Sequence, residues 1–150
     1  MQESVLAQVY RMRGVKACPI ETTFRFIGKK WTVLILRELF LGVSQFNRLA
    51  ENVEGIRPKV LSQRLKELKR SGIVERQITS ESPIHVEYRL TELGRRLEPV
   101  LCSAAAFSIE ALPKLVFKNG KPRDLRAVLG PNVSAVFSIP DGASKSSRFR

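Results

Sequence analysis

Pro58 to Gly72, which reads P-K-V-L-S-Q-R-L-K-E-L-K-R-S-G, constrains the fold more than any other stretch of the chain. Pro58 suits a first helical turn, where its missing N–H leaves nothing unsatisfied, and Gly72 suits the left-handed position that stops a helix. Leu61, Leu65 and Leu68 recur at i, i+4 and i+7 and form one apolar stripe. At about 100° per residue, Lys59, Gln63, Lys66 and Arg70 fall on the opposite edge. Such a helix docks on a core by its leucines and presents cations and hydrogen-bonding groups outward. Those are the requirements of a helix that reads the DNA major groove. A merely solvated amphipathic helix has the same pattern, so the flanking segments decide.

They favour the reading helix. Phe46, Leu49, Ala50 and Val53 predict a two-turn helix from about Phe46 to Val53, which Gly55 separates from the Pro58 helix by only a few residues. Two short helices joined this tightly, the second cationic on its outer side, make a helix-turn-helix pattern. Behind them, Ile73 to Thr79 and His85 to Leu90 carry strand-forming residues on either side of Ser80-Glu81-Ser82-Pro83, a turn sequence, which predicts a β-hairpin. A helix-turn-helix followed by a hairpin is a winged helix. His85 and Arg89 are expected near the hairpin tip, beside the groove that the helix enters.

Upstream, Val5, Leu6, Val9 and Met12 predict a short leading helix. Cys18-Pro19-Ile20-Glu21 reads as a second helix start, with Glu21 facing the positive end of the dipole, and Gly28 ends or bends that helix. Lys30 to Leu41 follows as a largely apolar helix with Arg37 and Glu38 on its wet side. Trp31 repeats with Leu34 and Ile35, which favours core packing over ligand stacking. Val43 to Phe46 has room only for a turn or a minimal strand. Downstream, Thr91 is an expected N-cap for a helix that Pro99 kinks or divides. The apolar residues of that segment, among them Leu97, Leu101, Phe107 and Leu112, exceed what one small domain needs. The excess points to a second copy of the chain pressed against it. From Pro113 onward prolines and glycines punctuate the sequence, leaving a short helix at 123–129, an extended run at 133–139 and a basic tail.

The net charge of +12, from 26 Lys and Arg against 14 Asp and Glu, attracts polyanions, nucleic acid first. Two cysteines, Cys18 and Cys102, are too few for a disulfide framework, and with one histidine they make no metal site. No secretory signal or membrane span is read, so the expected setting is the cytoplasm. No nucleophile, phosphate-cradling loop or carboxylate pair stands in a catalytic motif, so no enzymatic activity and no cofactor are expected.

Cys18-Pro19-Ile20-Glu21, Ile27-Gly28-Lys29-Lys30-Trp31, Ile35-Leu36-Arg37-Glu38-Leu39, Phe46-Asn47-Arg48-Leu49, Lys59 to Leu68, Gly72 to Arg76 and Val86 to Gly94 together resemble the HxlR family. The resemblance runs from about Cys18 to Leu101. It implies a prokaryotic winged-helix transcription regulator, normally a homodimer formed through the leading segment and the helix after the wing. The fold class expected is mainly α with a small β-hairpin: a winged helix-turn-helix with N- and C-terminal helices for dimerisation. Residues 1–112 would form the DNA-binding domain with its leading and trailing helices, and 113–150 a basic, partly flexible extension. The expected function is sequence-specific binding of double-stranded DNA at an inverted repeat, through the Pro58–Ser71 helix and the 79–86 wing. The alternative is a winged-helix protein-interaction module without specific readout.

Base-edge and phosphate contacts fall to Lys59, Ser62, Gln63 and Lys66, phosphate contacts to Arg57 and Arg70, and wing contacts to His85 and Arg89. Three departures from the family stand out: Lys29 where a second glycine is usual, Arg57 where a serine commonly caps the recognition helix, and His85 where the wing often has arginine. Cys18 matches the N-terminal cysteine through which some family members sense oxidants or electrophiles. A thiol at a helix start, near Lys16, is disposed to ionise, while a buried structural role is the other reading. Small-molecule or redox control is therefore an open expectation, and Cys102, among Leu101, Ala104 and Ala105, is read as core.

Overall fold

The computed structural model describes residues 4–11, 14–81 and 83–124. Met12, most of the 123–129 segment, the 133–139 run and the basic tail lie outside them. The chain divides into two compact units between Thr91 and Glu92.

The first unit holds α1 (Val5–Tyr10), α2 (Pro19–Ile27), α3 (Thr32–Phe40), α4 (Phe46–Asn52), α5 (Pro58–Arg70), β1 (Val74–Glu81) and β2 (Ile84–Leu90). Its core is drawn from α3, α4, α5 and the start of the hairpin: Ile35, Leu36, Leu49, Val53, Leu61, Leu65, Leu68, Ile73 and Val74 are all buried. The leucine stripe of α5 is entirely inside this core. Burying a leucine contributes roughly 1.5–3 kcal/mol, so three of them fix the rotation of α5 and commit its other edge to solvent. The turn before α5 needs glycine at one position. Gly55 holds φ +81°, and a Cβ there would stand 3.2 Å from the Trp31 ring.

Trp31 precedes α3 instead of belonging to it. It takes a left-handed φ of 77°, is half-buried, and carries the Lys30 ammonium 4.8 Å from its ring centroid. Glu38 also departs from expectation. It is buried instead of wet, because Asn52 of α4 donates to it at 2.8 Å and Arg37 at 2.7 Å. A buried carboxylate is tolerated where its oxygens are paired in this way. Arg37 remains exposed.

β1 and β2 pair antiparallel from Val74↔Leu90 to Glu81↔Ile84, with an irregularity between Ile78 and Ser80. Of the turn or minimal strand expected at 43–46, the structure has a single bridge: Gln45 pairs with Glu87, and the Tyr88 N–H donates to the Ser44 carbonyl at 2.8 Å. This ties the wing to the segment between α3 and α4. The hydroxyl of Thr91, expected at a helix cap, donates to the carbonyls of Gly72 and Ile73, closing the base of the hairpin onto the end of α5. α1 contributes no buried residue, and its Val5, Leu6 and Tyr10 are exposed.

The second unit contains α6 (Glu92–Arg95), α7 (Glu98–Ala111) and α8 (Pro113–Val116). The expected single helix is divided at residues 96–97, and Pro99 lies in the first turn of α7, where proline is compatible with a helix. Among the described residues of this unit, Phe107, Leu112, Leu115 and Val116 are large apolar side chains left exposed.

Candidate nucleic-acid interface

Lys59, Ser62, Gln63, Lys66 and Arg70, together with Glu67, line a shallow groove of about 360 Å³ along the outer face of α5. Lys59, Gln63, Lys66 and Arg70 are exposed and Ser62 is half-buried. The structure therefore brings together the expected reading residues on one edge. Arg57 stands at the N-cap, exposed and in extended backbone, and makes no side-chain capping bond. The Lys59 N–H and this guanidinium share the positive end of the helix dipole, a place suited to a phosphate. At the other end, Ser71 donates its hydroxyl to the Glu67 carbonyl.

Glu67 was not among the residues read from sequence, yet it organises one side of this face. One of its oxygens receives Lys29 at 3.1 Å and Arg64 at 3.0 Å, and the other accepts from the Gln63 amide at 3.3 Å. Arg64 is held as well by the Lys30 carbonyl at 3.2 Å. Burial pushes the Glu67 carboxyl up, but the hydrogen bonds from Lys29 and Gln63 and the charges of Arg64 and Lys29 outweigh it and hold it below the usual range. The i,i+4 and i,i+3 spacings to Gln63 and Arg64 were visible in the sequence. The Lys29 pairing, across a fold of the chain, was not.

On the wing, His85 is exposed and pairs with Ser80, one step from the last pair of the ladder. Arg89 does not flank the tip as expected. It pairs with Glu75 beside the hairpin base, and its guanidinium binds Glu87 at 2.6 Å. The ladder extends to Ile84, and five residues of strand set Arg89 back by roughly 16 Å at the usual rise.

Cys18 is the N-cap of α2. Its half-buried Sγ accepts from the Glu21 N–H at 3.5 Å and lies 3.4 Å from the Tyr10 hydroxyl. These two bonds, that from Glu21 first, and a weaker one from the Ile20 N–H hold the thiol below its ordinary pKa against burial and the Glu21 charge. The help comes from the start of α2, as the sequence suggested, and from Tyr10, but not from Lys16. Tyr10 is correspondingly pushed up by its bond to Cys18. Burial, then the Glu98 charge, raises the Cys102 thiol. Among the described residues, no three His, Cys, Asp or Glu side chains gather as a metal site, and no helix is long and apolar enough to cross a membrane.

The profile of the HxlR-like helix-turn-helix family matches residues 26–114, more than half of the chain. The chain belongs to that family. The HTH-type transcriptional regulator YodB of Bacillus subtilis is 40% identical over 96 residues, covering 63% of this chain and 86% of YodB. YdeP of the same organism, also an HTH-type transcriptional regulator, is 38% identical over 101 residues, 67% of this chain and 79% of YdeP. The solved reduced form of YodB overlays with a TM-score of 0.57, covering 61% of this chain and 91% of that one. The redox regulator HypR in its oxidised form gives 0.57 at 35% identity, over 61% and 94% of the two chains.

As an HxlR-like protein the chain is a helix-turn-helix transcriptional regulator with a winged-helix fold. In it α4 and α5 are the helix pair, and the β1–β2 hairpin, stitched to Ser44, is the wing.

Proposed function

We propose that this HxlR-like regulator binds double-stranded DNA sequence-specifically, as a homodimer on an inverted repeat, with α5 in the major groove. The observation that carries this reading is the α5 face. Four cationic or amide side chains are exposed along the edge opposite three buried leucines. Lys59, Ser62, Gln63 and Lys66 meet base edges and nearby phosphates. Arg57 and Arg70, at the helix ends, anchor to phosphates and set the register. His85 serves the wing tip. Arg89, already engaged by Glu87 at the hairpin base, is a backbone contact at most. The exposed apolar residues of α1, α7 and α8 suit a second copy of the chain. We place this regulator in the cytoplasm, without catalysis, because its relatives are named as transcriptional regulators.

Thiol control fits the same frame. YodB has been solved in a reduced and a diamide-treated form, and HypR is described as a redox regulator. In this chain, modification of Cys18 removes the acceptor shared by Tyr10 and the start of α2, so the leading segment registers the change first.

Titration of duplex DNA across salt concentrations tests the reading. A reader anchored on phosphates loses affinity steeply with salt. Arg70→Ala weakens all sequences alike and lowers the salt slope by about one. Binding with no salt dependence would favour the protein-interaction alternative.

A further inference from the structure

Gln63 lies mid-way along the exposed face of α5, and its amide is not free to turn over. Its Nε2 donates to one oxygen of Glu67 at 3.3 Å. A carboxylate has no hydrogen to give, so the amide must meet it nitrogen first. Glu67 in turn cannot swing away. Its other oxygen is held by Lys29 from the corner between α2 and α3 and by Arg64 from α5, and Arg64 is itself fastened to the Lys30 carbonyl. Lys29 and Arg64 also neutralise a carboxylate that would otherwise repel DNA phosphates.

We infer that Glu67 is a specificity-determining positioning residue, which holds the Gln63 amide with its carbonyl oxygen outward so that Gln63 selects adenine. This rests on the reading of α5 proposed above and deepens it. With one N–H committed to Glu67, the amide has left an acceptor oxygen and a second N–H. Adenine presents N6–H as donor and N7 as acceptor in the major groove and satisfies both. Guanine presents two acceptors, O6 and N7, and sets one against the amide oxygen. Thymine offers an acceptor and a methyl group, and cytosine a donor alone. An unrestrained glutamine can instead swing its NH2 group, with both N–H donors free, toward the acceptors of guanine. Lys29, which stands where the resemblance has glycine, thereby acts on base choice without touching a base.

The test is competition binding of the full chain to duplexes varied one base pair at a time. Gln63→Ala identifies the position that Gln63 reads, and there the wild type prefers adenine to guanine by roughly tenfold. Glu67→Gln, which can donate as well as accept, frees the amide. That variant is expected to lose most of the adenine preference at this one position, with preferences elsewhere and the thermal midpoint held. Lys29→Ala leaves α5 unaltered and is expected to lose part of the same preference, which keeps the test open if Glu67→Gln does not fold. Adenine preference unchanged in these variants overturns the inference and leaves α5 as the reader. A uniform loss over all sequences also overturns it, since that is a structural effect. If Gln63→Ala alters no position at all, the reading of α5 itself fails.

Discussion

Two side chains carry the clearest chemical consequences at the scale of single residues. Glu38 is buried with its carboxylate bound by Asn52 and Arg37, the Asn52 bond first, and it is held below the usual range although burial opposes this. A depressed folded pKa means that its stabilisation is fully present above the unfolded carboxyl value, near 4.3, and is lost as pH falls through the folded value. Glu38→Gln should therefore lower stability by about 1–2 kcal/mol at neutral pH. The difference in thermal midpoint from wild type should shrink as the pH drops below the unfolded value. A difference constant with pH would assign the loss to packing instead. Cys18 behaves in the same direction. Its alkylation by iodoacetamide should proceed at lower pH than that of Cys102, whose thiol is raised. Tyr10→Phe, which removes one of the bonds to the sulfur, should move the Cys18 profile upward, as followed by peptide mass spectrometry. An unmoved profile would leave the α2 N-terminus as the sole cause.

At the scale of elements, α5 was the most legible part of the chain. Pro58, Gly72 and three leucines define its ends and its buried edge by local rules, and the observed helix follows them. The hairpin was legible in outline, but its register was not, since strand length depends on pairing partners. Arg89 was consequently expected too near the tip. Long-range pairings escaped altogether. Nothing near Glu38 announces Asn52, nothing near Lys29 announces Glu67, and nothing in the short 43–46 run announces its bridge to Glu87. Each depends on residues distant in sequence, which periodicity does not see. Arg57 poses an element-scale trade between stability and binding. It occupies an N-cap without capping it. Arg57→Ser should stabilise the protein by about 1 kcal/mol while weakening DNA binding and reducing its salt slope by about one. Parallel denaturant and binding titrations would show the two effects moving in opposite directions. Stabilisation with unaltered binding would remove Arg57 from the phosphate contacts.

At the scale of the whole molecule, the exposed apolar surface determines what a single copy can do. Phe107 is 62% exposed and Leu115 82%, and α1 adds Val5 at 75%. A lone chain in water rarely leaves so much apolar surface bare. Replacing Leu101 and Phe107 by Glu should yield monomers that keep the winged-helix unit but lose tight operator binding, as read by sedimentation and by circular dichroism. In the proposed dimer, two α5 helices entering successive major grooves on one side of B-DNA would have to sit about 34–36 Å apart, or a multiple of that. Footprints should accordingly show half-sites centred one or two helical turns apart. A wild-type monomer at micromolar concentration, protecting a single unrepeated site, would defeat this expectation.

The corner around Trp31 has an optical consequence. This is the one tryptophan in the chain, half-buried, with an ammonium over its ring and Gly55 of the α4–α5 turn against its edge. The neighbouring Lys30 carbonyl holds Arg64 of α5. Indole emission shifts with nearby charge and with exposure to water, so the tryptophan fluorescence of the unlabelled protein reports on a single point beside the turn that leads into α5. Any strain that DNA places on that helix would be visible as a change of colour, with no dye attached and no residue replaced.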